Sequence, residues 1–464
     1  MIEIEKNQGG TVRSLLALVA ATLTLGANAS NVAIIDSGTD MLHKDIAPQA
    51  WINPLEIPRN QRDEDGNGYE DDVNGWNFAE QNHQVIDYKY LGRLTFDVRR
   101  FFDIQTAMLQ GSATDEDIKW MRAKLQEQEF VKQLQVYGNF MHGTHVAGIS
   151  ARASDDAKIM AVKIIPTEVA LPFSVKEQAL KSEKSNFKMF LLKQGLAFLA
   201  KQQMSMLAEV ATYVNDHKID IANGSFGTGY PQAKMIVETV GRTIIKDITE
   251  EQIEEATMHF LNTLIKEGDH MVQAAEDTLF VFAAGNDGLN NDKYPTSPTN
   301  IQADNVISVS ATLRRGKLAN FSNYGKKMVD VAAPGVGILS AVPGNQYLRV
   351  SGTSQAAPYV ANIASKVQDA NPALSPRQIK AIITKTVDKK DWLKEKVISE
   401  GIVNKDRATR AGILSRTMEV DKAIATANVE IADIESDEIL ELKARPTTLE
   451  GLVLPLPGQF VIKK

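Results

Sequence analysis

The stretch VAIIDSGTD, residues 32–40, decides the fold. Four apolar residues in a row, Val32, Ala33, Ile34 and Ile35, stop at Asp36 and a Ser37-Gly38 turn. A short run with no polar face reads as a strand buried on both sides, the kind found in parallel sheets covered by helices. Similar runs recur at residues 159–165, 219–222, 279–284, 306–309 and 329–333. Between them lie stretches with helical spacing, at 115–136, 174–215 and 234–270. Strands alternating with helices predict an α/β domain with a mainly parallel sheet flanked by helices. At residues 375–386 a helix start is legible in detail, with Ser375 as N-cap, Pro376 at the first helical position and Gln378 completing a capping box.

Composition narrows the function classes. The chain has 464 residues, a formal net charge of −7, 43% hydrophobic and 23% charged residues, and no cysteine. These values are those of a globular chain, not of a disordered, collagenous or polytopic membrane protein. A mildly acidic surface argues against nucleic acid as a partner, because phosphate binding rewards basic charge. Without cysteine there are no disulfides, thiolate metal sites or cysteine nucleophiles. At the N-terminus, Lys6 and Arg13 precede the uncharged stretch SLLALVAATLTLG, residues 14–26, and Ala27-Asn28-Ala29 has the small-x-small pattern of a signal-peptidase site. The apolar run is shorter than the roughly 18 residues a membrane span requires. Residues 1–29 are therefore expected to be a signal peptide, and the protein to be secreted or periplasmic, although Glu3 and Glu5 make the leading segment unusually acidic.

Four short segments carry the chemistry. Asp36 ends an apolar strand, where open α/β sheets place their ligands. In HGTHVAGI, His142 and His145 precede a small-residue helical pattern; no acidic ligand lies beside them, so one histidine is expected to work and the other to pack. LFVFAAGNDG exposes Asn286 at a strand's C-terminal end, where a primary amide can donate to a developing oxyanion. SGTSQAAP leads into a helix and puts Ser354 at its N-terminus; Pro358, four residues on, has no N–H for the Ser354 carbonyl. Each residue alone has an ordinary explanation as a turn former or cap. Together they are the parts of acyl transfer: serine attacks, histidine takes the proton, aspartate orients the histidine, and an amide holds the oxyanion. All seven histidines precede Ser354. That excludes the α/β-hydrolase order and leaves aspartate, histidine, serine.

On the segments VAIIDSGTD, HGTHVAGI, NGSFG, VFAAGNDG and SGTSQAAP, spread over residues 32–358, the chain resembles the subtilisin-like serine peptidases, the subtilase or peptidase S8 family. The resemblance implies a three-layer, subtilisin-like α/β fold and a serine endopeptidase acting on proteins or peptides. It implies Asp36, His142 and Ser354 as the triad, with Asn286 and the Ser354 N–H as the oxyanion hole. It further implies that Ser225, Phe226 and Gly227 form an edge strand pairing with substrate backbone, with Gly285 lining the adjoining pocket. Where the family usually has methionine after the nucleophile, this chain has Gln355. The competing class, a peptide-binding protein with an idle site, has against it that all four catalytic residue types are present.

The segment DEDGNGYEDD, residues 63–72, spaces oxygen donors at Asp63, Asp65, Asn67 and Asp71, with the Tyr69 carbonyl between them. Those are the offsets of a calcium loop, although Asn74 stands where an EF-hand has a bidentate glutamate. A structural Ca2+ is expected there. The expected organisation is a signal peptide at 1–29 and a peptidase domain at 30–420. Helical insertions near 88–137 and 166–215 read as surface elaboration, and 421–464 as a C-terminal appendage.

Overall fold

The structure is a computed structural model that describes residues 29–152, 157–168 and 185–435. In chain order the strands are β1 (Asn31–Asp36), β2 (Gly75–Asn77), β3 (Lys158–Lys163), β4 (Ile221–Gly224), β5 (Leu279–Ala283), β6 (Val306–Leu313), β7 (Lys317–Leu318), β8 (Val331–Pro334), β9 (Ile338–Val342), β10 (Gln346–Val350), β11 (Asp388–Lys389) and β12 (Gly401–Ile402). The helices are α1 (Phe96–Gln110), α2 (Asp115–Lys124), α3 (Gln128–Ala151), α4 (Ser185–Asp216), α5 (Tyr230–Ile244), α6 (Glu250–Gln273), α7 (Thr353–Ala370), α8 (Pro376–Lys385), α9 (Lys405–Leu414) and α10 (Val420–Glu430). Among the described residues, ten strands form one sheet in the order β11-β12-β8-β6-β5-β4-β1-β3-β2, with β7 beside β6. Pairing is parallel except at β6–β7 and β11–β12, and β9–β10 is a separate antiparallel hairpin.

The register explains where a site can form. β1 pairs with β3 on one side and β4 on the other, so the chain order reverses at its C-terminal end. Such a switch point opens a crevice beyond the strand ends, and Asp36 sits there. Side chains along β1 alternate between two cores. Val32 and Ile34 join residues of α3, α7, α8, α9 and α10, among them Val146, Val360, Ile379 and Ile424. Ala33 and Ile35 join residues of α4, α5 and α6, among them Leu207, Val237 and Phe260. The result is the expected three-layer α/β architecture, each fully buried aliphatic or aromatic side chain contributing about 1.5–3 kcal/mol.

Local signals hold where capping chemistry is explicit. Ser375 and Gln378 form the expected capping box at α8. Thr114 with Asp117 and Thr249 with Gln252 start α2 and α6 in the same way. The second box splits the expected 234–270 helix in two. The 115–136 stretch also breaks, after Lys124.

Two expectations about the outer segments need correction. α4, within the second expected insertion, is not surface elaboration: Leu192, Leu196, Leu207 and Val214 are buried in the core under the sheet. The first insertion, through α1, α2 and the start of α3, builds its own apolar cluster with the β9–β10 hairpin, including Phe101, Phe130, Phe140 and Leu348. The boundary at 420 also moves. Ala423, Ile424 and Ala427 of α10 are buried against the main core, because the heptad-like small residues face α9. Of the supposed appendage only residues 436–464 lie outside the described residues, as do residues 1–28 of the expected signal peptide.

A charged knot fastens this C-terminal part. The fully buried Asp388 carboxylate pairs with Arg315 and, at 3.2 Å, with Arg407. Arg407 also donates to the Ile431 carbonyl and to Asp433, and the Ile434 N–H donates to Asp388. Arg407→Ala should cost about 3 kcal/mol, because it strips one partner from a buried carboxylate. Urea unfolding of the variant and the parent checks this.

Candidate active site

The meeting of β1 and α3 is made by two glycines. Gly38 has φ +113°, and a Cβ on Gly143 would lie 2.3 Å from the Gly38 carbonyl oxygen. Only hydrogen at Gly143 lets the loop after β1 touch the helix, while a Cβ on Gly38 would meet the Val85 carbonyl oxygen at 2.4 Å. Beside this contact His142 Nδ1 donates to Asp36 Oδ1 at 2.7 Å, and the same oxygen accepts the Ser37 N–H at 2.7 Å. Asp36 is fully buried, and His142 is 9% exposed. Nδ1 is therefore the protonated nitrogen, and Nε2 is left with a lone pair to accept a proton.

Ser354 is in the first turn of α7. Its carbonyl has lost the usual helical partner to Pro358, and the Ser225 hydroxyl takes that place at 3.2 Å. Asn223 Nδ2 in turn donates to the Ser225 hydroxyl at 2.9 Å. The Ser354 hydroxyl itself donates to the Ser225 carbonyl at 3.3 Å. Among the described residues no hydrogen bond joins Ser354 to His142. The structure thus brings Asp36 and His142 into direct contact and aims the serine at β4's end.

Asn286 follows Gly285, whose φ is +116° and whose Cβ, were there one, would lie 2.3 Å from Asn323 Nδ2. Asn286 Oδ1 accepts from the Thr353 N–H at 2.9 Å and the Thr353 hydroxyl at 2.8 Å. This turns its Nδ2 towards Gly352: a Cβ there would lie 3.3 Å from Asn286 Nδ2 and 3.6 Å from the Ser354 nitrogen. The Gln355 amide oxygen is nearer still to that point, at 2.8 Å. Thr353 and Asn323 were not singled out in the sequence. Thr353 could have been, from its place in Gly352-Thr353-Ser354. Asn323 could not, since it reaches the 285 loop from a distant turn, where its Oδ1 accepts the Asp287 and Leu289 N–H groups.

The expected edge strand is different. β4 ends at Gly224, and Ser225, Phe226 and Gly227 continue without a ladder and are buried. The reason lies in contacts remote in sequence: Ser225 is engaged with Ser354, and Phe226 packs edge-on against Phe282.

Of the two histidines in HGTHVAGI, His145 is the one that packs. Its Nε2 donates to the Ile338 and Leu348 carbonyls of the hairpin, both at 3.1 Å. Its Nδ1 accepts from Gln355 Nε2 at 3.4 Å. One imidazole thereby links α3, the hairpin and α7. Complete burial pushes its pKa down to about 3.

The acidic loop is rearranged relative to expectation. Burial pushes the Asp63 carboxyl up, but hydrogen bonds from the Gly68, Gly66 and Asn67 backbone outweigh it and hold the group below its usual value. Ligand atoms of Glu56, Asp63 and Asp65 lie within 4.8 Å of one another, and so do those of Asp65, Asp72 and His217. Asp71 is not part of either group. Its φ is +58°, and its carboxylate accepts the Asn60 and Gln61 N–H groups at 3.1 and 2.9 Å. Asp72 takes its place, bound by Tyr213 and Asn53. Asn67 presents its NH2 to Asp65 and Asp72, and the Tyr69 ring packs on Trp76 and Tyr213.

The buried His145 gives a pH signature. Unfolded, it takes a proton near its ordinary value of 6.5; folded, only near 3. Between those values the unfolded chain binds more protons, so stability present above 6.5 is lost as pH falls towards 3. His145→Gln should flatten this loss by about 2 kcal/mol between about pH 7 and about pH 5, read from urea midpoints.

Comparison with known proteins bears on the family of the chain. The description of the subtilase family matches residues 27–412. Alkaline elastase YaB from Bacillus sp. (strain YaB) is 38% identical over 136 residues, covering 29% of this chain and 34% of that protein. An alkaline protease from Alkalihalobacillus alcalophilus is 26% identical over 269 residues, 58% of this chain and 55% of its own length. Subtilisin Savinase from Lederbergia lenta is 27% identical over 269 residues, 58% of this chain and 77% of its own. The chain thus spans between about a third and about half of the first two relatives. With more than three quarters of its length matched, the chain belongs to the subtilase family.

Proposed function

We propose that the protein is a serine endopeptidase that hydrolyses peptide bonds in proteins through an acyl-enzyme on Ser354. The observation that carries this reading is the 2.7 Å Asp36–His142 hydrogen bond, which leaves Nε2 of His142 as a base. For reaction the Ser354 hydroxyl has to leave the Ser225 carbonyl and reach Nε2, a hydrogen bond that forms in the substrate complex. Its oxygen then bonds to the substrate carbonyl carbon while its proton passes to His142. Asp36 stabilises the imidazolium, and Asn286 Nδ2 and the Ser354 N–H receive the oxyanion. Collapse breaks the C–N bond, the amine leaving with the proton from His142. Water, activated by the same imidazole, then releases the acid. Residues 225–227 and Gly285 are assigned to the substrate backbone and the adjoining pocket, which requires them to become accessible when substrate enters.

The acidic loop is assigned a structural Ca2+. Glu56, Asp63 and Asp65 crowd together, and no Lys or Arg ion pair is recorded for them among the described residues. Burial raises the Glu56 pKa, and the negative charges of Asp72 and Glu64 add to it although backbone hydrogen bonds oppose them. Hard oxygen donors of this kind suit calcium. Asp63, Asp65 and the Tyr69 carbonyl remain assigned ligands, with Glu56 and Asp72 replacing Asp71, and Asn67 joins them only by turning its amide oxygen inward; the ion would supply cross-linking charge and no catalytic step. Residues 1–29 are assigned to export and removal, and the protein to the secreted or periplasmic space. Among the described residues no helix is long and apolar enough to cross a membrane.

In casein hydrolysis, Ser354→Ala should lower kcat by at least about a thousandfold and abolish fluorophosphonate labelling. Asn286→Ala should lower kcat by about a hundredfold or more with KM little changed. Equal rates for Ser354→Ala and the parent would remove the assignment. Chelation should lower Tm by about 5 °C, restored by added Ca2+.

A further inference from the structure

The loop that supplies Asn286 carries a carboxylate one residue further on. Asp287 Oδ2 reaches across to the segment after β4, where a Cβ on Gly229 would lie 2.7 Å from it. The segments that meet at this point, 225–229 and 285–288, contain the residues assigned to the substrate backbone and the adjoining pocket. Thr296 Oγ1 is close by, 3.6 Å from the same Cβ position. Backbone hydrogen bonds in both directions between Thr228 and Ser297, at 2.8 and 3.1 Å, hold the Gly229 side in place. The Asn323 side chain holds the other side, accepting the Asp287 and Leu289 N–H groups at 3.0 Å.

Asp287 is half-buried. It does not cap the neighbouring helix: the Gly229 N–H at the start of α5 donates to Gln232 Oε1 at 2.9 Å. Burial raises the Asp287 pKa, opposed by a hydrogen bond from the Asn323 side chain. In acyl transfer at Ser354 the scissile carbonyl oxygen lies against Asn286 Nδ2. The side chain next to that carbonyl therefore departs towards the wall that Asp287 shares. An apolar side chain entering there strips water from a carboxylate and returns nothing, which is unfavourable. A cationic one replaces that water with a charge-assisted hydrogen bond. One group thus favours one class of residue and rejects another.

We propose that Asp287 makes the peptidase select lysine or arginine as the residue before the scissile bond, its Oδ2 receiving the ammonium or guanidinium beside Gly229. This rests on the reading of Ser354 as the nucleophile and names the substrate class of that same site. The cation stays clear of the reacting bonds, so Asp287 determines specificity and carries no proton in the reaction.

The test uses the full chain and peptide nitroanilides that differ only in the residue before the scissile bond: arginine, its neutral near-isostere citrulline, or leucine. The parent should cleave the arginine peptide with kcat/KM at least about tenfold above that of the citrulline peptide. Asp287→Asn should narrow this ratio to about threefold or less. Gly229→Ala, which sets a methyl group against Oδ2, serves in its place if that variant does not fold. Equal rates for arginine and citrulline in the parent, or a ratio undiminished in the variant, would overturn the assignment. A chain that cleaves the leucine peptide and takes a fluorophosphonate label, yet does not distinguish arginine from citrulline, loses this proposal and keeps Ser354. A chain that cleaves none of the peptides and stays unlabelled loses both.

Discussion

The site depends on how closely a loop can approach a helix. Gly38 and Gly143 bring the turn after β1 within contact of α3, and a methyl group on Gly143 would occupy the space of the Gly38 carbonyl. The Asp36–His142 hydrogen bond exists because that contact exists. Since β1 is central in the sheet, and α3 is packed on the sheet by Val146 and Ala147, neither partner can retreat independently. A buried carboxylate held this way is already organised to stabilise an imidazolium, with little rearrangement left for the moment of reaction.

The second half of the site follows from a missing donor. Pro358 deprives the Ser354 carbonyl of its helical hydrogen bond, and Ser225 supplies one from β4's end. The backbone of Ser354 is therefore tied to a strand as well as to its own helix. On its far side, Gln355 reaches His145, which holds both strands of the hairpin. The sheet, the hairpin and helices α3 and α7 meet within one residue of Ser354. The NH2 of Gln355 is thereby engaged by a neighbouring histidine.

Much of this was legible in the sequence, for physical reasons. Buried parallel strands must be apolar on both faces, so β1, β3 and β5 stand out as runs. Capping boxes are local, so the start of α8 could be read to the residue. The order of Asp36, His142 and Ser354 identified the family before any coordinates. What escaped was set by contacts remote in sequence. Whether Asp71 or Asp72 turns inward depends on a positive φ and on Tyr213, far along the chain. Residues 225–227 carry the family's pattern, but their burial depends on Phe282 and Ser354. The place of α10 depends on small residues that face α9, a signal too weak to distinguish docking from a solvated tail.

The Asp388 knot has a meaning for incomplete chains. β8 is buried and wholly apolar until Pro334, and its outer partner is the short β12, at Gly401–Ile402. A chain that stops short of β12 leaves β8 as an open edge and also lacks α9 and α10, whose Ala408, Ala411, Ile424 and Ala427 belong to the main core. Unpaired backbone groups on an apolar strand recruit other chains, so such fragments are prone to aggregate rather than persist as soluble remnants. Completion of the stretch from β12 to residue 434 is in this sense a quality check on everything synthesised before it.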